Sequence, residues 1–207
     1  GNAGVALTLT GSVKLATLDA TNATGSVSAT SVSTAAMTLI GGSGNDSLTA
    51  NTGAANADVL RGGAGNDTLT TNAGLTTLTG GSGLDLFVIA TAGANGSIYS
   101  TITDASAGDR IQFANKGTET FNTTKLVLAG TASFTDYLNA ADAGDGGTNG
   151  IIRYFDFGGN TFVTYDQHAG ATFVNGTDVV VQLTGIVDLS TASLGNVVAG
   201  VPNLMVG

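Results

Sequence analysis

Cysteine and tryptophan are absent from this chain of 207 residues, and proline and histidine each occur once. Without cysteine there can be no disulfide frame, no zinc–thiolate cluster and no thiol nucleophile. The same absence is compatible with an exported chain that must stay unfolded in transit. Cations are scarce too: Lys and Arg number 6 against 15 acidic residues, a formal charge of −9. Such a chain lacks the basic stripe that nucleic acid requires and the polybasic patch that binds an anionic membrane surface. No apolar run reaches the roughly 18 residues that span a bilayer, so no membrane insertion is expected. Residues 1–20 lack the charged start and continuous apolar stretch of a signal peptide. The chain opens Gly1-Asn2 without Met, as a processed product or an excised piece would.

What is abundant is small or short. There are 32 glycines, and 14 of the 15 acids are Asp. Short Asp suits turns and metal ligation, where Glu would favour helices, although acidity alone also serves solubility. A disordered low-complexity linker can share this texture. A hydrophobic content of 42% with regularly placed Leu argues instead for a thin β-solenoid whose small side chains stack in successive coils.

The regularity has a definite unit. Gly41-Gly42-Ser43-Gly44-Asn45-Asp46-Ser47-Leu48-Thr49 recurs as Gly62-Gly63-Ala64-Gly65-Asn66-Asp67-Thr68-Leu69-Thr70 and, drifting, as Gly80-Gly81-Ser82-Gly83-Leu84-Asp85-Leu86-Phe87-Val88. This is the G-G-x-G-x-D-x-U-x nonapeptide of calcium-binding parallel β-helices. The small residues let the backbone turn tightly and approach a ligand. Their carbonyls and the Asp carboxylate form an all-oxygen set suited to a hard cation such as Ca²⁺. The apolar residue in eighth place points from a short strand into a core, so two repeats complete one coil. Leu9, Leu18 and Val27 extend the nine-residue step, and after steps of twelve come Leu39 and Leu48, then Leu60, Leu69, Leu78 and Phe87. Residues 5–90 therefore read as one right-handed coil series, the hand following the crossover rule. Two places before each core residue stand Asp46, Asp58, Asp67 and Asp85. Leu7, Ala16, Gly25, Met37 and Thr76 hold that place in the other rungs. Asp46, Asp67 and Asp85 should line one edge and Asp58 the other, so calcium is expected mainly on one edge, in the later coils.

From about residue 93 the texture changes. A helix is expected across Ser133–Ala143, with Phe134, Tyr137, Leu138 and Ala141 as its buried face. Ile151–Phe157 and Thr161–Asp166 flank Gly158-Gly159-Asn160 as a hairpin. Lys125-Leu126-Val127-Leu128 and Asp178–Leu183 read as strands, and Val187–Gly207 as a weakly structured end. Seven of the eight Phe follow residue 110, so the larger core belongs here. The expected fold is all-β: a right-handed parallel β-roll or β-helix solenoid with calcium-binding turns over 1–92 (repeats at 41–88), then a β-rich C-terminal cap with one short helix over 93–207. His168, with Asp166 as its sole nearby hint of a partner, reads as a surface or hairpin-end residue. Asp142 and Asp145, among Gly144, Gly146 and Gly147, read as a solvated loop. No Gly-x-Ser-x-Gly elbow or His-Glu-x-x-His occurs, and no enzyme is expected.

These residues resemble the RTX (repeats-in-toxin) proteins, which leave the cell through one-step type I export channels and fold outside it around Ca²⁺. The nonapeptides at 41–88 carry that resemblance. Ser100–Ile111 is similar to the segment that follows the repeats in many members, D-x-I-x-D-F-x-x-G-D, with Ser100 in place of the first acid and Ala105 in place of the aromatic. Asp136-Tyr137-Leu138, Phe157-Gly158-Gly159-Asn160-Thr161-Phe162 and Leu183-Thr184-Gly185-Ile186-Val187-Asp188-Leu189-Ser190 resemble C-terminal regions of RTX-type surface-layer (S-layer) proteins. The resemblance implies two or more Ca²⁺ ions between successive turns. One would be held by Gly42, Gly44, Asp46, Gly62, Ala64 and Asp67, a second by Gly63, Gly65, Asp67, Gly80, Ser82 and Asp85. A third would draw on Gly81, Gly83, Asp85 and Asp104. It further implies the calcium-binding, self-assembling part of a secreted S-layer protein at the cell surface, with a C-terminal export signal. Its implied partners are copies of itself, the type I secretion machinery and a cell-surface polysaccharide. The alternative is the C-terminal RTX domain of an adhesin or of an extracellular protease or lipase.

Overall fold

The computed structural model describes residues 4–8, 15–31, 35–51, 57–71, 75–89, 96–113, 119–143, 150–168, 170–195 and 203–207. Its framework is a two-sheet parallel coil. Strands β1 (Val5–Thr8), β3 (Val27–Thr30), β5 (Ser47–Thr49), β7 (Thr68–Thr70), β9 (Leu86–Val88) and β11 (Arg110–Gln112) stack in parallel in one sheet. Strands β2 (Thr17–Asp19), β4 (Thr38–Ile40), β6 (Val59–Ala64), β8 (Thr77–Ser82) and β10 (Ser100–Ile102) stack in the other. The chain alternates between the sheets, so each coil contributes one strand to each.

A strand this short buries its central residue and little else, because side chains alternate between faces. Leu39, Leu60, Leu78 and Ile102 meet Leu48, Leu69, Phe87 and Ile111 along the axis, all at 0% exposure. Burying each such side chain stabilises the coil by roughly 1.5–3 kcal/mol. The axial residues expected from Leu39 to Phe87 are therefore in place, and Leu18 pairs with Leu39. Two positions differ. Ala29, not Val27, lies opposite Leu48, and Leu7 lies opposite Ala29; Leu9 falls outside the described residues. Val27 is also buried, but two places earlier, on the aspartate column. The regular step of nine misplaces this rung because successive coils are unequal: column positions lie 19, 21, 18 and 24 residues apart from Val27 to Asp109.

The parallel ladder continues past residue 92 through β10 and β11, and the last part of the chain closes it. Strand β15 (Val179–Leu183) pairs in parallel with β10. It then runs antiparallel to β14 (Asn160–Tyr165), which pairs antiparallel with β13 (Ile151–Phe157). Strand β12 (Thr120–Phe121) forms the outer edge beside β13. In the other sheet β17 (Asn203–Met205) pairs antiparallel with β11 and with β16 (Ser193–Gly195). The expected weakly structured end is thus partly a hairpin. Its pairing to β11, more than ninety residues earlier, leaves no local mark in the sequence. The expected strand at Lys125–Leu128 is reduced to one bridge between Leu126 and Phe155.

Helix α1 (Phe134–Asp142) forms where expected, with Ser133 and Asp136 closing a capping box at its start. Its Leu138 packs on Phe155, Phe162 and Val180, which face outward from β13–β15, while Phe134 and Tyr137 complete the layer. The opposite face of those strands joins the solenoid interior, where Tyr165 stands 5.4 Å from Phe113. The β13–β14 turn uses positive φ at Gly158 (58°) and Gly159 (83°), matching the twist of a tight hairpin. No helix among the described residues is long and apolar enough to cross a membrane.

Candidate metal centre

The turns that lead from the second sheet back to the first stack on one edge as 41–46, 62–67, 80–85 and 104–109. In the first three, the Asp side chain reaches back by one coil. Asp46 Oδ1 accepts from the Val27 N–H at 2.7 Å, Asp67 Oδ1 from the Asp46 N–H at 2.8 Å, and Asp85 Oδ1 from the Asp67 N–H at 2.8 Å. Asp109 continues the column, accepting from the Asp85 N–H at 2.9 Å. The other carboxylate oxygen of each repeat Asp lies against the first glycine of its own turn. A Cβ on Gly41, Gly62 or Gly80 would collide with Oδ2 of Asp46, Asp67 or Asp85 respectively.

The glycines aim the backbone. Gly63, Gly65, Gly81 and Gly83 take φ of 116°, 114°, 104° and 138°, which L side chains rarely adopt. A Cβ at any of these four would also meet the carbonyl oxygen of the equivalent residue one coil earlier, at Gly42, Gly44, Gly63 and Gly65. Those four carbonyls therefore point forward along the stack. Gly62 O and Gly80 O point backward, toward Gly41 and Gly62. Ser82 O also faces back, accepting from the Gly65 N–H at 2.8 Å. Some of these carbonyls already serve the ladder between turns, Gly42 O accepting from the Ala64 N–H at 2.9 Å, while Asp67 Oδ2 and Gly80 O converge on the same spot beside Gly62.

The electrostatics of this edge fit a cation. Asp67 Oδ2 is buried and has no hydrogen-bond partner, a costly state for a charged oxygen. Burial pushes the Asp67 carboxyl up to about 7, and the Asp85 and Asp46 charges push it the same way. Burial likewise raises Asp85, helped by Asp109 and Asp104. A divalent ion among these groups would remove the repulsion and supply the missing partner. The donor set present, carboxylates and peptide carbonyls without thiol or imidazole, suits Ca²⁺.

Not every candidate sits in this arrangement. Asp104 occupies the place of the first glycine, and its two oxygens accept from the Gly80 and Gly81 N–H groups at 3.0 and 2.8 Å. Ser100 lies on the opposite edge, in the column that Asp58 and Thr76 occupy. There Asp58 accepts from the N–H groups of Met37 and Asn51 at 2.7 and 2.9 Å. Other residues of the calcium edge escaped the sequence reading. Asn45 Oδ1 accepts from the Asn66 N–H, and Asn66 Oδ1 from the Leu84 N–H, each at 2.9 Å. This second ladder reaches forward where the aspartates reach back. Asp109 closes the D-x-I-x-D-F-x-x-G-D likeness and has an apolar residue two places on, as Asp46 has Leu48, but was not singled out as a ligand.

The cap brings two further expectations into view. His168 does follow β14, as a hairpin-end residue would, but its side chain is turned inward among Asp142, Asp166 and Asp178. Asp142 is buried rather than solvated; Asp145 lies outside the described residues. Burial, then the charges of Asp178 and Asp166, holds the Asp142 carboxyl well above the usual carboxylate range.

Comparison with known proteins agrees with the geometry of the repeat edge. The family model for the RTX calcium-binding nonapeptide repeat matches four copies, over residues 38–54 and 52–87. A search of curated proteins with the whole chain finds no match. The matched segment contains the three glycine-rich turns and their stacked aspartates, so residues 38–87 are a run of RTX calcium-binding nonapeptide repeats.

Proposed function

We propose that this chain is the calcium-operated structural region of a secreted bacterial surface-layer protein, which folds and assembles with copies of itself once outside the cell. The observation that carries the calcium part is the buried Asp67 oxygen that has no donor and converges with the Gly80 carbonyl beside Gly62. One ion would take Gly42, Gly44 and Asp46 from the earlier turn with Gly62, Ala64 and Asp67 from the later. The next would take Gly63, Gly65 and Asp67 with Gly80, Ser82 and Asp85. A third would use Gly81, Gly83 and Asp85 with Asp104, whose present bonds to the Gly80 and Gly81 amides would then have to be shared. Shared aspartates couple neighbouring ions. Extracellular Ca²⁺ modules bind at about 10⁻⁴–10⁻³ M, so cytosolic calcium would leave the edge open and external calcium would close it.

The surface-layer part rests on the likeness of the cap segments 136–138, 157–162 and 183–190 to those proteins. Two measurements test the reading in turn. Circular dichroism during a calcium titration should show β signal growing with calcium; a full signal in excess chelator would overturn the switch. Electron microscopy in millimolar CaCl₂ should then show two-dimensional sheets. A folded, calcium-loaded chain that stays monomeric would point to an adhesin or to an accessory domain of an exported hydrolase.

A further inference from the structure

We propose that Asp142, Asp166, Asp178 and His168 form a second kind of divalent-cation site in the cap, outside the repeat turns and with a mixed carboxylate–imidazole donor set. The four residues come from separate places. Asp142 ends α1, Asp166 and His168 follow β14, and Asp178 precedes β15. The fold nevertheless sets one potential ligand atom from each within 4.8 Å of all the others. Histidine Nδ1 stands 3.0 Å from Asp178 Oδ1, 3.3 Å from Asp166 Oδ1 and 3.8 Å from Asp142 Oδ2.

Three features distinguish this cluster from a chance gathering of acids. The carboxylates are buried, with Asp142 and Asp166 at 1% exposure and Asp178 at 0%. Two of them are oriented by the backbone of the 166–178 loop. Asp178 accepts from the N–H groups of Gln167 and Val174 at 2.9 and 2.5 Å, and Asp166 accepts from the His168 N–H at 2.9 Å. Asp142 differs: both of its oxygens are buried without a hydrogen-bond partner, and Oδ2 stands 3.8 Å from His168 Nδ1.

Charge balance makes the need plain. His168 Nδ1 lies within salt-bridge reach of all three carboxylates. Three buried acids thus face one imidazole, and a buried carboxylate that ionises without a compensating charge does so at high cost. The helix end adds to this, since its last carbonyls repel an acid and its last turn carries no basic residue. The nearby Arg153 does not answer the carboxylates; its Nη1 donates to the carbonyls of Ala140 and Ala143 at 3.1 and 3.0 Å. A divalent ion neutralises the excess and gives Asp142 a partner. An imidazole nitrogen among hard oxygens suits a first-row ion such as Mn²⁺ or Zn²⁺ better than Ca²⁺.

The test uses the full chain, kept in CaCl₂ so that the repeats stay loaded. Mn²⁺ or Zn²⁺ is added, the protein is dialysed against CaCl₂, and all metals are counted by elemental mass spectrometry. Wild type should retain about one first-row ion per chain, and Asp142→Asn and His168→Ala should retain essentially none. Retention of no first-row ion, with one Ca²⁺ fewer in Asp142→Asn than in wild type, assigns the same site to calcium. Equal counts of every metal in wild type and both variants overturn the site. Should a variant fail to fold, crystals of wild type grown with Mn²⁺ decide. Anomalous scattering among the four side chains at the Mn or Ca edge supports the site, and its absence there overturns it.

Discussion

Asp67 serves one coil as a hydrogen-bond acceptor and burdens the stack with charge when no cation is present. Asp67→Asn separates the two effects, because the amide oxygen can still accept from the Asp46 N–H while the charge is gone. In chelator the variant should melt higher than wild type; in calcium its folding midpoint should move to about tenfold higher Ca²⁺ or more. The raised carboxyls also set a pH dependence. Asp67 in the folded, metal-free chain holds its proton up to about 7, whereas in the unfolded chain it releases it near 3.8. Between those values the folded state binds more protons, so stability falls as pH rises. Asp85 is shifted in the same direction. Melting in chelator should therefore be higher at pH 5 than at pH 8, and calcium should flatten the difference. At Gly63 and Gly81, alanine would combine positive φ with collision against the carbonyls of Gly42 and Gly63. Each substitution should cost about 1–3 kcal/mol, measured as a lower melting temperature in saturating calcium.

Elements were legible in the sequence where their signals are local. The three- and four-residue steps of Phe134, Tyr137, Leu138 and Ala141 announce the helix, and Gly158-Gly159 the tight turn; the Ser133–Asp136 capping box was found in the structure. Loss of the cap in Ser133→Ala should cost about 0.5–2 kcal/mol. The urea midpoint should fall while the calcium midpoint of the repeats, which lie elsewhere, stays unchanged. The three glycine-rich turns were equally plain, since glycine pattern, aspartate and apolar residue coincide. Where pairing spans the chain the signal disappears: β17 reads as an unstructured end because its partner β11 lies so far away. Ala29 was hidden by an uneven coil in which a small residue takes the axial place and a nearby valine keeps the expected rhythm. The Asp142–His168–Asp178 cluster was illegible for a related reason, with its members scattered over a helix end and a long loop. The forward-reaching Asn45 and Asn66 were visible as letters, but nothing in the nonapeptide pattern says what their side chains accept.

For the molecule as a whole, the cap decides what becomes of the coil's final edges. Without residues beyond 113, strands β10 and β11 would lose β15 and β17 and present unpaired backbone to solvent. Open parallel edges of this kind recruit other chains. A fragment ending at residue 113 should therefore scatter light in a concentration-dependent way and need more calcium for the same β signal. An unchanged calcium midpoint with a clean monomer would show that the coil stands without its cap.

The aspartate column also has a direction. The Val27 amide leans on Asp46, that of Asp46 on Asp67, that of Asp67 on Asp85, and that of Asp85 on Asp109. Only the last is self-sufficient: the Asp109 N–H donates to Ser106 O at 3.1 Å, inside its own turn. Each rung is thus finished by the one that follows it, and the stack closes like a zip whose slider starts at the cap. Amide hydrogen exchange should record this order, with protection lost earliest at Val27 and longest kept at Asp109.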